Sequence, residues 1–338
     1  MMNSEIAVDF GTSEIRIYAD GKGIMVNDAD SIAVDMRDDA VLATGRNARA
    51  MTDRASAFVQ TTSPFTWGRI QNYPMAAHLV SRHLKRVSSG RIMMPDTYIA
   101  VPEDLSSVEK QAIKEVVGES GIKKIFFIND SACAAMGAGR DIFTDIPVLV
   151  LDMGASKSTC AIYEKGELIA SGVLRLGGRD MDDAIVRMAG IKYGLTIGRL
   201  TAEDLKIRAA SAVPNTIEGS VMARGMDART CLPAEREISA ADVSTAVAGI
   251  LDRIAETVLG TVAVLDNREL ENLHRTGISV TGGLAKLKGI DFCLKQKSGL
   301  SVFVPLRPEL CTVNGAAAAF NLRNKVHRRL LIESADEK

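Results

Sequence analysis

The sequence is poor in aromatic residues, in paired cysteines and in any excess of charge. Aromatics make up 4% of the 338 residues and include a single tryptophan, Trp67. A base-stacking platform for single-stranded nucleic acid has little to build on. Lys+Arg is 41 against Asp+Glu 42, a net charge of −1, which removes nucleic acid as the default partner and leaves room only for a local basic patch. The cysteines Cys133, Cys160, Cys231, Cys293 and Cys311 are odd in number, scattered, and form no C-x-x-C pair. They read as reduced thiols rather than a disulfide framework or a zinc site. His78, His83, His274 and His327 include no H-E-x-x-H, so a histidine-based metal site is not indicated. No run reaches the ~18 apolar residues of a membrane span. The N-terminus passes directly into Ile6-Ala7-Val8 without the basic and apolar regions of a signal peptide. The expectation is a cytoplasmic protein that remains able to lie on a membrane surface.

What is present is a mixed, glycine-rich chain: 46% hydrophobic, 25% charged, with 28 Gly and 9 Pro. Its length favours about two domains. Short apolar runs at 6–8, 15–18, 98–101, 125–128, 148–151, 159–163 and 278–281 read as strands. Residues 106–120 read as a helix: Ser106 is the cap, Glu109 sits three residues on, Val108, Ala112, Ile113, Val116 and Val117 form the apolar face, and Gly121 ends it. Residues 181–193, 201–210, 239–258 and 315–331 also read as helices, with Thr201 and Ser239 as caps. The segment 215–237 reads as two short strands with turns. Strands and helices mixed on this scale indicate an α/β protein.

An internal repeat carries the chemistry. Apolar residues followed by Asp-x-Gly occur at Ile6-Ala7-Val8-Asp9-Phe10-Gly11-Thr12-Ser13 and at Val148-Leu149-Val150-Leu151-Asp152-Met153-Gly154-Ala155-Ser156, each before a second strand-like run. A third glycine turn, Thr281-Gly282-Gly283, follows another strand. A turn of glycine and small hydroxyl residues leaves backbone N–H groups uncovered, a concavity suited to phosphate oxygens. The hydroxyls of Thr12, Ser13, Ser156 and Ser158 add donors, and an Asp opening each turn suits the waters of a hydrated Mg²⁺. Either hairpin alone also reads as an ordinary Asp/Gly turn. The pair, with the third turn, reads as a nucleotide site. It is neither a P-loop nor a dinucleotide fingerprint, because no G-x-x-x-x-G-K-[ST] is present and no G-x-G-x-x-G follows a strand.

The order of these motifs resembles the actin-like ATPases, and within them the bacterial MreB group of cell-shape cytoskeletal proteins, nearly end to end. The resemblance is carried by Asp9-Phe10-Gly11-Thr12-Ser13, Lys22-Gly23-Ile24 with Ser31-Ile32-Ala33, Val101-Pro102, and Ile128-Asn129-Asp130-Ser131 running on to Gly139. It continues in Leu176-Gly177-Gly178-Arg179-Asp180-Met181-Asp182, Tyr193 to Gly198, Thr201-Ala202-Glu203-Asp204-Leu205-Lys206, and Thr281-Gly282-Gly283. It implies an actin-like (ribonuclease H-like) duplicated α/β fold, two lobes with a nucleotide cleft between them. Lobe I would span 1–139 plus 316–338, with an insert at about 20–75; lobe II would span 140–315, with an insert at about 180–240. By the same resemblance Thr12, Ser13 and Glu14 line the phosphates, and Gly154, Ala155, Ser156 and Lys157 form the second phosphate loop. Glu203 and Lys206 lie near the ribose and base, and Gly282, Gly283, Leu284 and Ala285 form the adenosine-side turn. Asp9 and Asp152 hold the metal's waters, and Asp130 is the catalytic acid. The implied cofactors are ATP and Mg²⁺.

The departures bear on activity. The family's second loop is usually glycines followed by threonines, whereas here Ala155-Ser156-Lys157 puts side chains where bare backbone approaches phosphate. The family acid is usually Glu followed by Pro, whereas here it is Asp130-Ser131. Asp is one methylene shorter, and such misplacements cost ~100-fold in rate. Leu284 stands where glycine is typical. The expectation is that binding survives while hydrolysis is slow or lost. Lys157 reads either as a solvated lysine or as a charge contact to the terminal phosphate. The resemblance also implies self-assembly into filaments at the inner face of the cell membrane, with membrane-bound shape proteins as further partners. Ile92, Met93 and Met94, beside Lys85, Arg86 and Arg91, read either as an apolar membrane-contacting tip or as core residues opening the next strand. The basic run from Arg323 to Arg329 reads as a solvated helix face rather than a nucleic-acid site. The competing functions on the same fold are a small-molecule kinase and a nucleotide-sensing scaffold that does not polymerise. A chaperone is not expected, because Lys338 leaves no room for a peptide-binding domain.

Overall fold

The structure is a computed structural model that describes residues 5–53, 58–89, 93–213, 216–324 and 332–333. The chain divides into two units. The first runs to Asp145 and also takes Tyr163–Glu167 and the chain from Glu309; the second is Ile146–Ile162 and Leu168–Pro308.

The first unit opens with strands β1 (Glu5–Phe10), β2 (Glu14–Ala19), β3 (Gly23–Ala29), β4 (Ile32–Asp35) and β5 (Ala40–Thr44), then helix α1 (Arg46–Met51). Short strands β6 (Val59–Thr62), β7 (Phe65–Thr66) and β8 (Arg69–Ile70) precede α2 (Tyr73–Ser88), β9 (Asp96–Val101), α3 (Ser107–Gly118), β10 (Ile125–Asn129) and α4 (Asp130–Gly137). The chain continues with β11 (Val148–Met153), β12 (Ser158–Glu164), β13 (Glu167–Leu174), α5 (Gly178–Tyr193), β14 (Leu195–Thr196), α6 (Arg199–Ala209), β15 (Ser220–Asp227), β16 (Pro233–Ser239), α7 (Ala240–Val262), α8 (Asn267–Thr276), β17 (Ile278–Thr281), α9 (Ile290–Ser298) and β18 (Val302–Phe303), all in the second unit except the end of β12 and the start of β13. The chain closes, back in the first unit, with α10 (Cys311–Ala318) and β19 (Ile332–Glu333).

The two main sheets share one plan. The first has the order β19-β10-β9-β1-β2-β3 and the second β13-β12-β11-β17-β18. In each, a leading three-strand meander is extended by strands lying parallel to its first member: β9 on β1 and β10 on β9, then β17 on β11 and β18 on β17. β1 pairs antiparallel with β2, Asp9 standing directly opposite Arg16. The connection from β11 to β12 is too short for anything but an antiparallel hairpin. The chain therefore forms an α/β protein with a duplicated sheet plan.

Buried parallel strands read as near-continuous apolar runs because both faces are covered. Ile6, Val8, Phe10, Ile15 and Ile17 face one core with α2 and α3 residues such as Leu79, Leu84 and Val116. On the opposite face Ala7, Tyr98 and Phe126 meet Cys133, Val313 and Ala316 of α4 and α10. These two helices cross so closely that a Cβ on Gly137 would lie 1.8 Å from the Cys311 carbonyl oxygen, and one on Gly315 would lie 1.8 Å from that of Cys133. In the second unit α7 buries Val243, Val247, Leu251, Ile254 and Val258, a single stripe at helical spacing.

Ser106 caps α3 with a reciprocal box: its hydroxyl accepts from the Glu109 N–H, and the Glu109 carboxylate accepts from the Ser106 N–H at 2.8 Å. That helix ends at Gly118, and Gly121 is left-handed (φ 86°) beyond it. Ser239 caps α7. Thr201 does not cap α6: the helix begins at Arg199, with Gly198 in the extended cap position and the Arg199 guanidinium gripping Asp183 at 2.8 and 3.0 Å. The helix expected over 315–331 begins at Cys311 and tightens into a 3₁₀ turn over Ala319–Asn324. Gly315 lies inside it, where α4 needs the space. Residues 325–331, which hold most of the basic run, lie outside the described residues. Helix α2 escaped the sequence reading; Asn72 caps it, accepting from the Met75 N–H at 3.1 Å.

Candidate functional site

In the first unit β1, β9 and β10 run parallel, so their carboxyl ends lie on one edge, where open α/β sheets place ligands. That edge carries Asp9, Pro102-Glu103 and Asn129-Asp130. After Asp9 the chain turns through Gly11, where a Cβ would lie 2.7 Å from the Glu14 carbonyl oxygen. The turn tolerates only a bare α-carbon. The Thr12 hydroxyl is buried and accepts from the Trp67 N–H at 3.0 Å. Arg49 of α1 donates to the Ser13 hydroxyl at 3.2 Å. Arg16 of β2 stands between two acids, 3.4 Å from Asp9 and 2.5 Å from Glu14.

Asp130 occupies the first turn of α4, where the helix end favours a carboxylate. Burial raises the Cys133 thiol well above its ordinary range, and the charges of Asp130 and Asp9 add to that. Ser131 is fixed by hydrogen bonds to Glu103 and to the Tyr163 hydroxyl, and Tyr163 also donates to Glu103 at 3.1 Å. Burial, with the neighbouring Glu103 charge, pushes the Tyr163 hydroxyl far up, so it stays a donor. Sequence reasoning missed Glu103 and Tyr163. Glu103 had a signal, since it follows Val101-Pro102 at a strand end; Tyr163 had none.

The second unit repeats the hairpin. The Gly154 N–H closes on the Lys157 carbonyl at 2.8 Å. Asp152 stands beside Thr281 in the β11–β17 ladder and accepts from its hydroxyl at 2.8 Å. Gly282, at φ 82°, packs so tightly on β11 that a Cβ would lie 2.3 Å from the Met153 carbonyl oxygen and 2.9 Å from Asp152 Oδ1. The orphan N–H groups at the start of α5 are taken by this hairpin: Gly178 N–H reaches the Gly154 carbonyl at 3.1 Å, and Arg179 N–H reaches that of Ala155 at 2.7 Å.

Gly178 is a hub that the residue-type reading did not single out. A Cβ there would lie 3.3 Å from Lys206 Nζ, 3.5 Å from Leu284 Cδ2 and 3.7 Å from Ala155 Cα. The second hairpin turn, the α6 lysine and the Gly282 turn thus converge on one point. Leu284 and Ala285 are buried there. Lys206 is buried as well, its ammonium donating to Asp182 at 2.6 Å and to the Gly178 carbonyl at 2.9 Å. Its charge is held by Asp182. Burial raises the Asp182 carboxyl to about 6 against the opposing pull of Lys206, and Glu203, one turn earlier on α6, raises it further.

Among the described residues no three His, Cys, Asp or Glu side chains converge as a metal cage. A magnesium ion held through water by single carboxylates needs none. Asp152 suits that part. Asp9 suits it poorly, because the Arg16 guanidinium beside it already offsets its charge. In the hydrophobic segment Met93 and Met94 are 66% and 45% exposed, and Lys85 and Arg86 are exposed as well, which favours a surface tip over a core reading for the two methionines. Arg91 and Ile92 lie outside the described residues. No described helix is long and apolar enough to cross a membrane.

The model of the MreB/Mbl protein family matches residues 3–328. The cell shape-determining protein Mbl of Bacillus subtilis is 28% identical over 335 residues, covering 98% of this chain and all of that protein. The cell shape-determining protein MreB of Escherichia coli is 26% identical over 330 residues, covering 95% and 94%. Among solved structures, MreB 5 of Spiroplasma citri bound to AMPPNP superposes with a TM-score of 0.89 at 25% identity, over 95% of this chain and 97% of that one.

Proposed function

The chain belongs to the MreB/Mbl family, and on that premise we propose that it is an actin-like cytoskeletal protein that binds ATP, hydrolyses it slowly, and polymerises into membrane-associated filaments that help set cell shape. The observation that carries the reading is the doubled hairpin: Asp9-x-Gly11 and Asp152-x-Gly154, each at the carboxyl end of a first strand, each closing on the residue three positions after its glycine. The AMPPNP bound to the Spiroplasma relative supports a triphosphate as ligand. Thr12, Ser13 and Glu14 with Gly154, Ala155, Ser156 and Lys157 are the phosphate residues in this proposal. Glu203, Lys206, Gly282, Gly283, Leu284 and Ala285 take the nucleoside, and Asp152 holds the waters of a nucleotide-bound magnesium ion.

Asp130 is the acid that orients the attacking water. Being short by a methylene, and followed by a Ser131 already locked to Glu103 and Tyr163, it holds that water off the productive position. The principal partner is a second copy of the chain. Ile92, Met93 and Met94 are the proposed contact with the inner face of the cell membrane, where membrane-bound shape proteins are further partners; nucleic acid is not one.

The test is to measure ATP binding, phosphate release and ATP-dependent sedimentation together, with negative-stain microscopy of the pellet. The expected result is binding and filaments with weak phosphate release, which Asp130→Glu raises by about tenfold or more. Failure to bind ATP, or bound ATP without filaments, defeats the reading. A phosphorylated small-molecule product would identify a kinase instead. For the membrane contact, Ile92→Ser with Met93→Ser abolishes binding to anionic liposomes; unchanged binding removes that part.

A further inference from the structure

We propose that Arg16 and Arg49 form a built-in cationic wall on the first hairpin that takes the terminal phosphates of the nucleotide, so that ATP binding depends only weakly on a divalent cation. This rests on the nucleotide reading above and deepens it.

The β1–β2 register sets Arg16 directly opposite Asp9, and cross-strand neighbours project from the same face of a sheet. The guanidinium is thereby fixed at the carboxylate that opens the phosphate turn, 3.4 Å from Asp9 and 2.5 Å from Glu14. The Arg16 side chain is only 13% exposed. Burying a guanidinium is costly unless its charge and its N–H groups are all met. Its charge is met by the two acids, but its Nε–H is buried without an acceptor. A buried donor left over beside a phosphate turn is a group whose electrostatics an anionic ligand completes.

Arg49 reaches the same turn from another element. It stands in the last turn of α1 and donates to the Ser13 hydroxyl at 3.2 Å. Two arginines from two elements thus bracket residues 9–16. By formal charge Asp9 and Glu14 offset the two arginines before any ligand arrives. A polyphosphate added to a neutral turn needs less external cation than one added to two bare carboxylates. Arginine also suits phosphate by shape, because its planar fork gives two parallel N–H···O bonds. A metal cage is the opposite solution for the same two acids, and a guanidinium seated between Asp9 and Glu14 opposes it by like-charge repulsion.

The experiment titrates the full chain with ATP, and with adenosine as the phosphate-free probe, in magnesium and again in excess chelator. Circular dichroism checks that each variant is folded. The expected result for the unmodified chain is a loss of ATP affinity on chelation of less than about tenfold, one charge-assisted hydrogen bond's worth. Arg16→Gln and Arg49→Gln each lose about tenfold or more for ATP in chelator, recover part of it in magnesium, and leave adenosine affinity unchanged. Arg49→Gln keeps the test open if Arg16→Gln does not fold. A larger loss for the unmodified chain on chelation, or unchanged ATP affinity of the folded variants in chelator, overturns the cationic wall while leaving the nucleotide site standing. No ATP binding with or without magnesium overturns the nucleotide reading itself.

Discussion

The two hairpins share a spacing and differ in charge. Asp9, Gly11, Glu14 and Arg16 in the first correspond by position to Asp152, Gly154, Lys157 and Thr159 in the second. The backbone solution is the same in both: the glycine faces the carbonyl of the residue three places on, Glu14 in one and Lys157 in the other. The side chains then invert. The first hairpin carries an acid and compensates it internally with Arg16. The second carries a lysine where the first has an acid, and where the first has arginine it has Thr159, buried with an unpartnered hydroxyl. Its Asp152 accepts from the Thr281 hydroxyl. The second unit also holds a buried ion pair, between Lys206 and Asp182. A duplicated fold thus keeps the geometry that cradles phosphate and lets each copy balance its charges differently.

The largest expected effect tests where those charges are most deeply buried. Lys206 and Asp182 are 10% and 8% exposed, against 13% and 15% for Arg16 and Asp9. Removing one partner of a buried pair strands the other. Lys206→Met is expected to cost about 3 kcal/mol at neutral pH, whereas Arg16→Met costs about 1 kcal/mol, because Glu14 and Asp9 retain more access to water. The pH dependence has a definite sign. The folded Asp182 carboxyl is raised to about 6 from an ordinary 3.8. Its protonated form contributes stability that is complete below about pH 4 and lost as pH rises through about 6. Without Lys206 the folded value rises further, so the defect of Lys206→Met shrinks as pH falls. Denaturant unfolding at pH 7.5 and pH 5 reads both points. Equal costs for the two variants would erase the distinction between the hairpins.

The next effect is steric. A Cβ on Gly11 meets the Glu14 carbonyl at 2.7 Å, while one on Gly154 meets the Lys157 carbonyl at 3.1 Å. Backbone cannot rotate away as a side chain can. Gly11→Ala is expected to cost about 2 kcal/mol and Gly154→Ala under about 1 kcal/mol, compared by thermal melts of the two variants. The reverse order would mean that the second hairpin is the tighter, and that its Ala155-Ser156-Lys157 run is no relaxation of the phosphate turn.

The hairpins were legible because their signal is local. Strands β1, β2, β9, β10, β11, β12 and β17 are apolar runs bounded by turn residues, and the Asp-x-Gly repeat needs no tertiary context. The Ser106 and Ser239 caps are equally local, as each bonds within its own first turn. What escaped depends on partners distant in sequence. Thr201 matched a cap by type, yet Gly198 took the position once Asp183 had fixed Arg199. Gly315 looked like a helix start, and it is glycine because Cys133 of another helix lies against it. The edge strands β3, β5 and β13 lack a clean period because their outer faces meet water, and β4, central in its sheet and buried throughout, is only four residues long. Gly178, Glu103 and Tyr163 emerge as site-edge residues only when the strand ends are brought together. Arg16 stood in plain view inside the motif, but only the β1–β2 register shows that it faces Asp9.

The smallest expected effect changes no stability and reads the two units separately by thiol chemistry. Thiolate is the reactive form, so burial that raises a thiol's pKa silences it. Cys133, Cys160, Cys293 and Cys311 are buried and Cys231 is exposed. Burial lifts Cys160 to about 12 and Cys293 less far. Cys133 is raised well above its ordinary range, by burial first and then by the carboxylates of Asp130 and Asp9. An aromatic disulfide reagent at pH 8 is therefore expected to titrate one thiol rapidly in the native protein and five in denaturant, with Cys231→Ser abolishing the fast one. All fast labelling then belongs to the second unit. Fast labelling of Cys133 instead would mean that α4 does not stay seated on the sheet at Asp9. The arrangement of Asp130 and Asp9 about the first turn of α4, on which the assignment of the acid depends, would fall with it.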